Sequence, residues 1–279
     1  MTIFHKLGLA ISLLGLLNGC SHKIYPEDSY QVTAVKTDGD LGEWSRPLRF
    51  GSSSGLAQYN VTNDKDNLYI SLETHDETTV MKIMRSGINI YIDPGAGKSK
   101  KMSLAFPLPN TSFANAVPHG NSPTAKPEQT DMLRSLLLQS ITFNAIGFSG
   151  MENKLYDVAD KSQIGVGIAL GSGNSLGYEA VIPLKYIFGS NEQAIGRNLS
   201  VGIVINAMKN AADHVPSPNP AARGQMGAGG RRGSGGGGNK GIGNRGNNAN
   251  GVGNSNSAAD RATMYKSDSN WYTFRLAAK

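Results

Sequence analysis

Short segments of alternating apolar and polar residues, bounded by Gly, Asn, Asp or Pro, recur along most of this chain. Ile88–Ile92 alternates cleanly and ends at a turn in which Pro94 fixes φ and Gly95 accepts a positive φ. Helical signal is confined to Asp131–Leu138, capped by Thr130 or Asp131, and to one turn at Leu184–Phe188. The other candidate strands are 56–61, 68–73, 102–106, 141–148, 164–170, 177–182, 199–207 and 271–276. This pattern predicts an all-β fold, an antiparallel β-sandwich of jelly-roll type with one or two short helices and a long disordered Gly/Asn-rich loop.

The single cysteine, Cys20, ends an apolar N-terminal leader. The apolar run Leu7–Leu17 is too short for a membrane-spanning helix, which needs about 20 such residues. A lone cysteine also excludes an internal disulfide and a Cys-type zinc site. Gly19 supplies the small residue that a signal cleavage site requires. A plain secretory signal that leaves a free thiol is the alternative.

The run Leu17–Ser21 resembles the bacterial lipoprotein signal, which has a leucine three residues before the cysteine and a small residue directly before it. The resemblance implies cleavage after residue 19 and lipid attachment at Cys20. The absence of aspartate after the cysteine favours the outer membrane and leaves its periplasmic or surface face open. The expected organisation is a signal peptide (1–19), a tether (20–30) and a sandwich domain (31–279) interrupted by a disordered loop at 216–262.

The Gly/Asn tract Ala221–Asp260 carries fourteen glycines and seven asparagines, and therefore has too little apolar surface to offset its ordering entropy. It also holds much of the net charge of +6, which leaves the folded body nearly neutral. Nucleic-acid-binding domains place basic residues on the domain itself. We therefore expect no nucleic-acid partner, and the tract is either a solubilising loop or a flexible arm that contacts partners.

Four motifs and a closing strand follow one another along the chain: Thr37–Trp44, Asn67–Ile70, Ile88–Asp93, Gly177–Leu184 and Trp271–Leu276. Their order resembles that in the family 9 carbohydrate-binding modules and the related DOMON-like sandwiches. The arrangement also resembles a group of exported Bacteroidetes-type lipoproteins with this sandwich. The resemblance implies a β-sandwich that binds glycan through exposed aromatic side chains, with polysaccharide as a partner besides the membrane. Both tryptophans, Trp44 and Trp271, are nevertheless expected in the core, so no ligand-binding residue is assigned.

Oxygen ligands suited to calcium occur near the predicted turns. They are Asp38, Asp40, Glu43, Asp64 and Asp66. Their spacing does not match an EF-hand, and solvated turn residues are the preferred interpretation. The sequence predicts no cofactor and leaves calcium open.

Catalytic patterns are scarce in this sequence. No nucleophile elbow or metal-spaced histidine pair is present, and His75–Glu77 is interpreted as an exposed turn. The sequence therefore predicts a protein that is not an enzyme: an envelope lipoprotein that binds glycan or another envelope ligand. The alternative is a structural or interaction lipoprotein that uses the Gly-rich arm, and a heme-binding DOMON-like protein is a third hypothesis without a visible Met/His axial pair.

Overall fold

The computed structural model describes residues 24–25, 30–110, 125–209 and 262–278. Two β-sheets pack face to face, so the predicted all-β sandwich is confirmed. In spatial order, the seven-stranded sheet consists of β1 (Ile24–Tyr25), β12 (Asp268–Arg275), β11 (Asn198–Ile205), β5 (Ile88–Asp93), β6 (Met102–Ala105), β7 (Thr142–Ile146) and β8 (Lys154–Asp157). The five-stranded sheet consists of β2 (Phe50–Gly51), β3 (Ala57–Asn63), β4 (Asn67–Thr74), β10 (Leu176–Pro183) and β9 (Gly165–Leu170).

The alternation within each strand places its apolar side chains between the sheets. In β5, Ile88, Ile90 and Ile92 are buried, and they are paired with the buried odd-numbered residues of β11. Tyr59 and Tyr178 enter the same core from the facing sheet. All strand pairings are antiparallel except that of β1 with β12. The predicted hairpins, β3–β4 and β5–β6, are both confirmed.

Three α-helices accompany the sheets in the described residues: α1 (Glu77–Ser86), α2 (Ala125–Gln139) and α3 (Leu184–Phe188). Helix α3 is as predicted. Helix α2 begins earlier than the expected cap at Thr130 or Asp131. Helix α1 was not predicted: the backbone N–H of Thr79 donates to Asp76 Oδ2 at 2.7 Å, which caps it, and Gly87 ends it with φ of 78°.

The segment that follows Tyr30 covers the outer face of the five-stranded sheet. Leu41, Trp44 and Leu48 form a small second core there with Tyr69 of β4. The covering segment lies so close to the sheet that a Cβ on Gly177 would come within 2.1 Å of the Gly39 carbonyl oxygen. Glycine at that position therefore permits the contact between backbones.

The predicted tether at 20–30 contains a strand. Ile24 and Tyr25 pair in parallel with Thr273 and Phe274 of β12. The ring of Tyr25 packs edge-on against Phe50, with 4.8 Å between centroids. Two residues were too few for an alternation pattern. The aromatic contact favours the partial burial of Tyr25, whereas Ile24 is 46% exposed.

The Gly/Asn tract interrupts the hairpin of β11 and β12. The described chain continues past β11 to Lys209 and resumes at Ala262, and the N–H of Met208 donates to the Met264 carbonyl oxygen at 2.8 Å. The backbone on the two sides of the tract is therefore held together at its base. The expected disordered loop, 216–262, lies outside the described residues except for Ala262. Among the described helices, none has the length and apolar character needed to cross a bilayer.

Candidate functional site

Two aromatic side chains and a glycine form one row across the outer face of the seven-stranded sheet. Gly202 of β11 is paired with Tyr91 of β5 on one side and with Trp271 of β12 on the other. The neighbouring residues Val201 and Ile203 are buried in the core, and successive side chains of a strand point to opposite faces. Tyr91 and Trp271 therefore project away from the core, and both are half-buried.

The indole of Trp271 lies flat over Gly202. A Cβ on Gly202 would lie 2.5, 2.6 and 2.7 Å from Cε2, Cζ2 and Cδ2 of Trp271. Nearly equal distances to three adjoining ring atoms mean that the glycine faces the ring plane rather than its edge. The exposed part of the indole is consequently the opposite face, which is directed away from the sheet.

The rings of Tyr91 and Trp271 are nearly parallel. Their centroids are 6.2 Å apart and their planes differ by 12°. At this distance parallel rings are displaced sideways rather than superposed. The pair, which we call the Tyr91–Trp271 platform, thus offers an extended and nearly flat apolar surface.

Polar groups border the platform on the side of β5 and β6. Lys100 is exposed, and its Nζ lies over the face of the Tyr91 ring, 5.2 Å from the centroid. The half-buried Ser103 of β6 is paired with Tyr91, and Asp93 follows two residues later on the same face of β5. A flat apolar surface beside an ammonium, a hydroxyl and a carboxylate suits a molecule with one apolar face and hydrogen-bonding groups at its edge.

The other tryptophan has a structural role, as the sequence predicts. Trp44 is 4% exposed, and its Nε1 donates to Oε1 of Glu179 at 2.7 Å. Glu179 Oε2 accepts from the backbone N–H groups of Gly39 (2.8 Å) and Asp38 (3.1 Å). Burial raises the pKa of the Glu179 carboxyl, and these three hydrogen bonds partly oppose that shift. The opening motif, Thr37–Trp44, is therefore bound to β10 by hydrogen bonds to the Glu179 carboxylate.

The structure corrects the expectation that Trp271 is a core residue. In β12, Tyr272 and Phe274 lie in the phase that is paired with the buried residues Val201 and Leu199, so Trp271 falls in the opposite phase. Asp268 and Asn270 share the inward phase with the two aromatic residues. Because they are polar, the sequence of β12 does not show a regular alternation of apolar and polar residues. Trp271 and Tyr272 are consecutive aromatic residues, and only one phase of a strand can face a given core. One of the two therefore had to lie on the outer face, which was the available signal.

Three of the five calcium candidates, Asp38, Asp40 and Asp64, bind backbone groups in turns. Asp66 Oδ1 accepts from Asn191 Nδ2 at 2.9 Å, and Glu43 Oε2 is buried without a hydrogen-bond partner among the described residues. Asp38 Oδ1 accepts from the N–H of Asp40 at 2.9 Å, and Asp40 Oδ1 accepts from the N–H of Gly42 at 3.0 Å. The Asp64 carboxylate accepts from two backbone N–H groups and from the hydroxyl of Tyr69. Among the described residues, no group of three or more His, Cys, Asp or Glu could hold a metal ion.

The remaining sequence candidates are structural or outside the described residues. His75 is exposed and lies with Nε2 3.4 Å from Oε1 of Glu73, as expected for a turn, and Asp76 caps α1. Cys20, the leader and the Gly/Asn tract at 221–260 lie outside the described residues.

Two solved structures resemble this chain. A family 9 carbohydrate-binding module from Caldicellulosiruptor kristjanssonii, in complex with glucose, has a TM-score of 0.36 and 12% identity over 66% of this chain and 78% of its own. A proposed carbohydrate-binding protein from Bacteroides uniformis has a TM-score of 0.27 and 6% identity over 57% of this chain and 68% of its own. Both TM-scores are below 0.5, and at that level a likeness establishes neither a ligand nor a function. No protein-family model and no curated protein matches the sequence.

Proposed function

We propose that this protein is a non-catalytic, lipid-anchored envelope protein that binds glycan through the Tyr91–Trp271 platform. One observation carries the proposal, namely the nearly parallel, half-buried rings that face away from the core across Gly202. A pyranose ring has an apolar face of C–H groups and a hydroxylated edge, which matches a flat aromatic surface with polar groups beside it. The order of the sequence motifs and the lipoprotein-like leader that ends at Cys20 support the same interpretation.

The expected contribution of the platform follows from its area. Covering about 60–80 Å² of one ring face at about 25 cal/mol per Å² gives about 1.5–2 kcal/mol. This free energy corresponds to a change of about 10–30-fold in Kd. Truncation of either ring should therefore have a clear effect on binding, and truncation of both should abolish detectable binding to a weak ligand.

Affinity electrophoresis of the full chain in gels that contain soluble β-glucan, xylan, mannan or pectin tests the proposal. We expect retardation by at least one polymer, which is lost in Trp271→Ala and Tyr91→Ala and retained in Tyr91→Phe, because phenylalanine preserves the ring. Tyr265→Ala is the matched control, since Tyr265 is 41% exposed and lies outside the platform. No retardation across the panel, or equal retardation of the wild type and Trp271→Ala, would contradict the proposal.

A second candidate function is a structural lipoprotein whose Gly/Asn tract contacts a partner. It is favoured by the hydrogen bond between Met208 and Met264, which closes the hairpin beneath the tract. Replacement of residues 210–261 by a short Gly/Ser linker should leave the circular dichroism spectrum and Tm unchanged. If this variant loses co-purifying envelope proteins but still binds polysaccharide, the result would support partner contact as the role of the tract.

A further inference from the structure

A cavity of about 290 Å³, lined by both polar and apolar groups, lies at the end of the sandwich where the tract interrupts the β11–β12 hairpin. Three parts of the chain line it: the loop before β3 with Ser54, the first turns of α1 with Thr79 and Lys82, and the segment from Lys266 to Asp268. Its volume is at the lower end of the range for small-molecule sites. One sugar ring fits such a space, whereas a polymer chain does not.

The ammonium group of Lys82 is buried in the wall of this cavity. Lys82 is only 6% exposed, and its Nζ donates to the carbonyl oxygen of Lys266. Within the described residues, no carboxylate oxygen lies within 4.0 Å of this nitrogen. An ammonium has three donors, and a buried charge is unfavourable unless it is paired. Lys82 therefore has no carboxylate in direct contact. Its burial lowers the pKa of the amine, and the negative charge of Asp268 in the same cavity wall partly opposes that shift.

Asp268, the carboxylate of the cavity wall, is held by other donors. Its Oδ1 accepts from Ser53 Oγ at 2.7 Å and from Asn270 Nδ2 at 2.9 Å. Its Oδ2 accepts from Ser54 Oγ at 2.6 Å. The Ser53 hydroxyl donates its proton to Asp268, so its lone pairs can accept hydrogen bonds from a ligand. Ser54 Oγ is already engaged, since it accepts from the Leu56 N–H at 3.4 Å and lies 2.9 Å from Ser52 Oγ.

The charges of the cavity lining favour a ligand with a single negative charge. Lys82 and Lys266 supply two positive charges and Asp268 supplies one negative charge. The lining is otherwise rich in hydroxyl groups, which pair well with a polyhydroxylated ligand. A monoanion neutralises the excess charge, whereas a dianion would leave the opposite excess in a partly buried space.

We propose that this cavity binds a sugar acid, with the carboxylate of one pyranose ring on the Lys82 ammonium and the ring hydroxyls on Asp268 and the surrounding serine and threonine hydroxyls. The site is separate from the Tyr91–Trp271 platform. Asp268 lies in the inward phase of β12 and Trp271 in the outward phase, so the two surfaces are on different sides of the sheet. The proposal therefore stands or fails independently of the platform.

Isothermal titration calorimetry of the full chain with D-galacturonate and D-glucuronate tests the proposal, with D-galactose and inorganic phosphate as comparison ligands. At least one sugar acid should bind, and galactose should bind at least about tenfold more weakly, as expected for loss of a charge-assisted contact. Lys82→Met should lower the affinity for the sugar acid by about tenfold or more. Lys65→Met is the matched control, because the Lys65 side chain is 78% exposed and lies outside the cavity.

Ser267→Trp provides a second variant that keeps the charge and reduces the space, since Ser267 lines the cavity and is exposed at its rim. It should weaken sugar-acid binding while the Tm stays within a few degrees of the wild type, and Trp271→Ala should leave that binding unchanged. Equal affinity of the wild type and Lys82→Met would overturn the proposal. So would equal binding of phosphate and sugar acid, or no binding of either sugar acid.

Discussion

The carboxylate of Glu179 offers a sharp test of how the opening motif is held. Its two oxygens accept three hydrogen bonds from the indole of Trp44 and the backbone of Asp38 and Gly39. In Glu179→Gln only one side-chain oxygen remains, and the amide NH₂ must face at least one of these donors. A buried donor without an acceptor costs about 1–3 kcal/mol. We therefore expect Glu179→Gln to lose about 1–3 kcal/mol of the free energy of unfolding, and Glu179→Ala to lose more because all three donors lose their acceptor.

A double-mutant cycle separates this contact from general packing. Trp44→Phe removes the indole N–H, so in Trp44→Phe/Glu179→Gln the amide NH₂ no longer opposes a donor. The double variant should be about as stable as Trp44→Phe alone, so the coupling energy equals the loss in Glu179→Gln, about 1–3 kcal/mol. Urea unfolding followed by far-UV circular dichroism measures all four proteins, and about 2–4 °C in Tm should accompany each kcal/mol. Additive effects of the two substitutions would refute the reasoning.

Burial would by itself raise the pKa of Asp268, but hydrogen bonds from two serine hydroxyls and an asparagine amide hold it below its usual range. Its stabilising contribution is thus present above about pH 4 and lost as the pH falls through the lowered pKa. In urea titrations from about pH 2 to 6, the free energy of unfolding should therefore fall less steeply with decreasing pH in Asp268→Asn than in the wild type. Gly177→Ala should destabilise by about 1–3 kcal/mol or more, because its Cβ would meet the Gly39 carbonyl oxygen at 2.1 Å, whereas Gly51→Ala, with no atom within 4 Å, should change stability by less than about 0.5 kcal/mol. Cys20→Ser should move the protein out of the membrane fraction and abolish labelling with radioactive palmitate, and unchanged fractionation would contradict lipid attachment.

Local patterns were sufficient to predict much of the sandwich. Alternation in Ile88–Ile92, with the turn after it, predicted both β5 and its antiparallel pairing with β6. Helix α1 was missed because its N-cap, Asp76, was interpreted with its neighbours as a turn. An Asp followed by Thr79 and the apolar residues Val80 and Ile83 was the available signal.

The candidate sites depend on contacts between distant parts of the chain. The platform requires that Tyr91 and Trp271 meet across Gly202, and no local pattern specifies which strands flank β11. The cavity joins residues from the loop before β3, from α1 and from the start of β12, which are brought together only by the stacking of the sheets. The outward phase of Tyr91 in β5 and that of Trp271 in β12 were the parts of the platform that the sequence contained.

The pairing of β1 with β12 also limits how far the sandwich can lie from Cys20. An extended chain spans at most about 3.5 Å per residue, so the four steps from Cys20 to Ile24 reach about 14 Å, whereas a free tether to Tyr30 would reach about 35 Å. If Cys20 carries lipid, the edge of the seven-stranded sheet would lie within about half a bilayer thickness of the headgroups. Trp271 lies on the strand next to this edge. Large polymers would then reach it by approaching along the membrane plane rather than from any direction in solution.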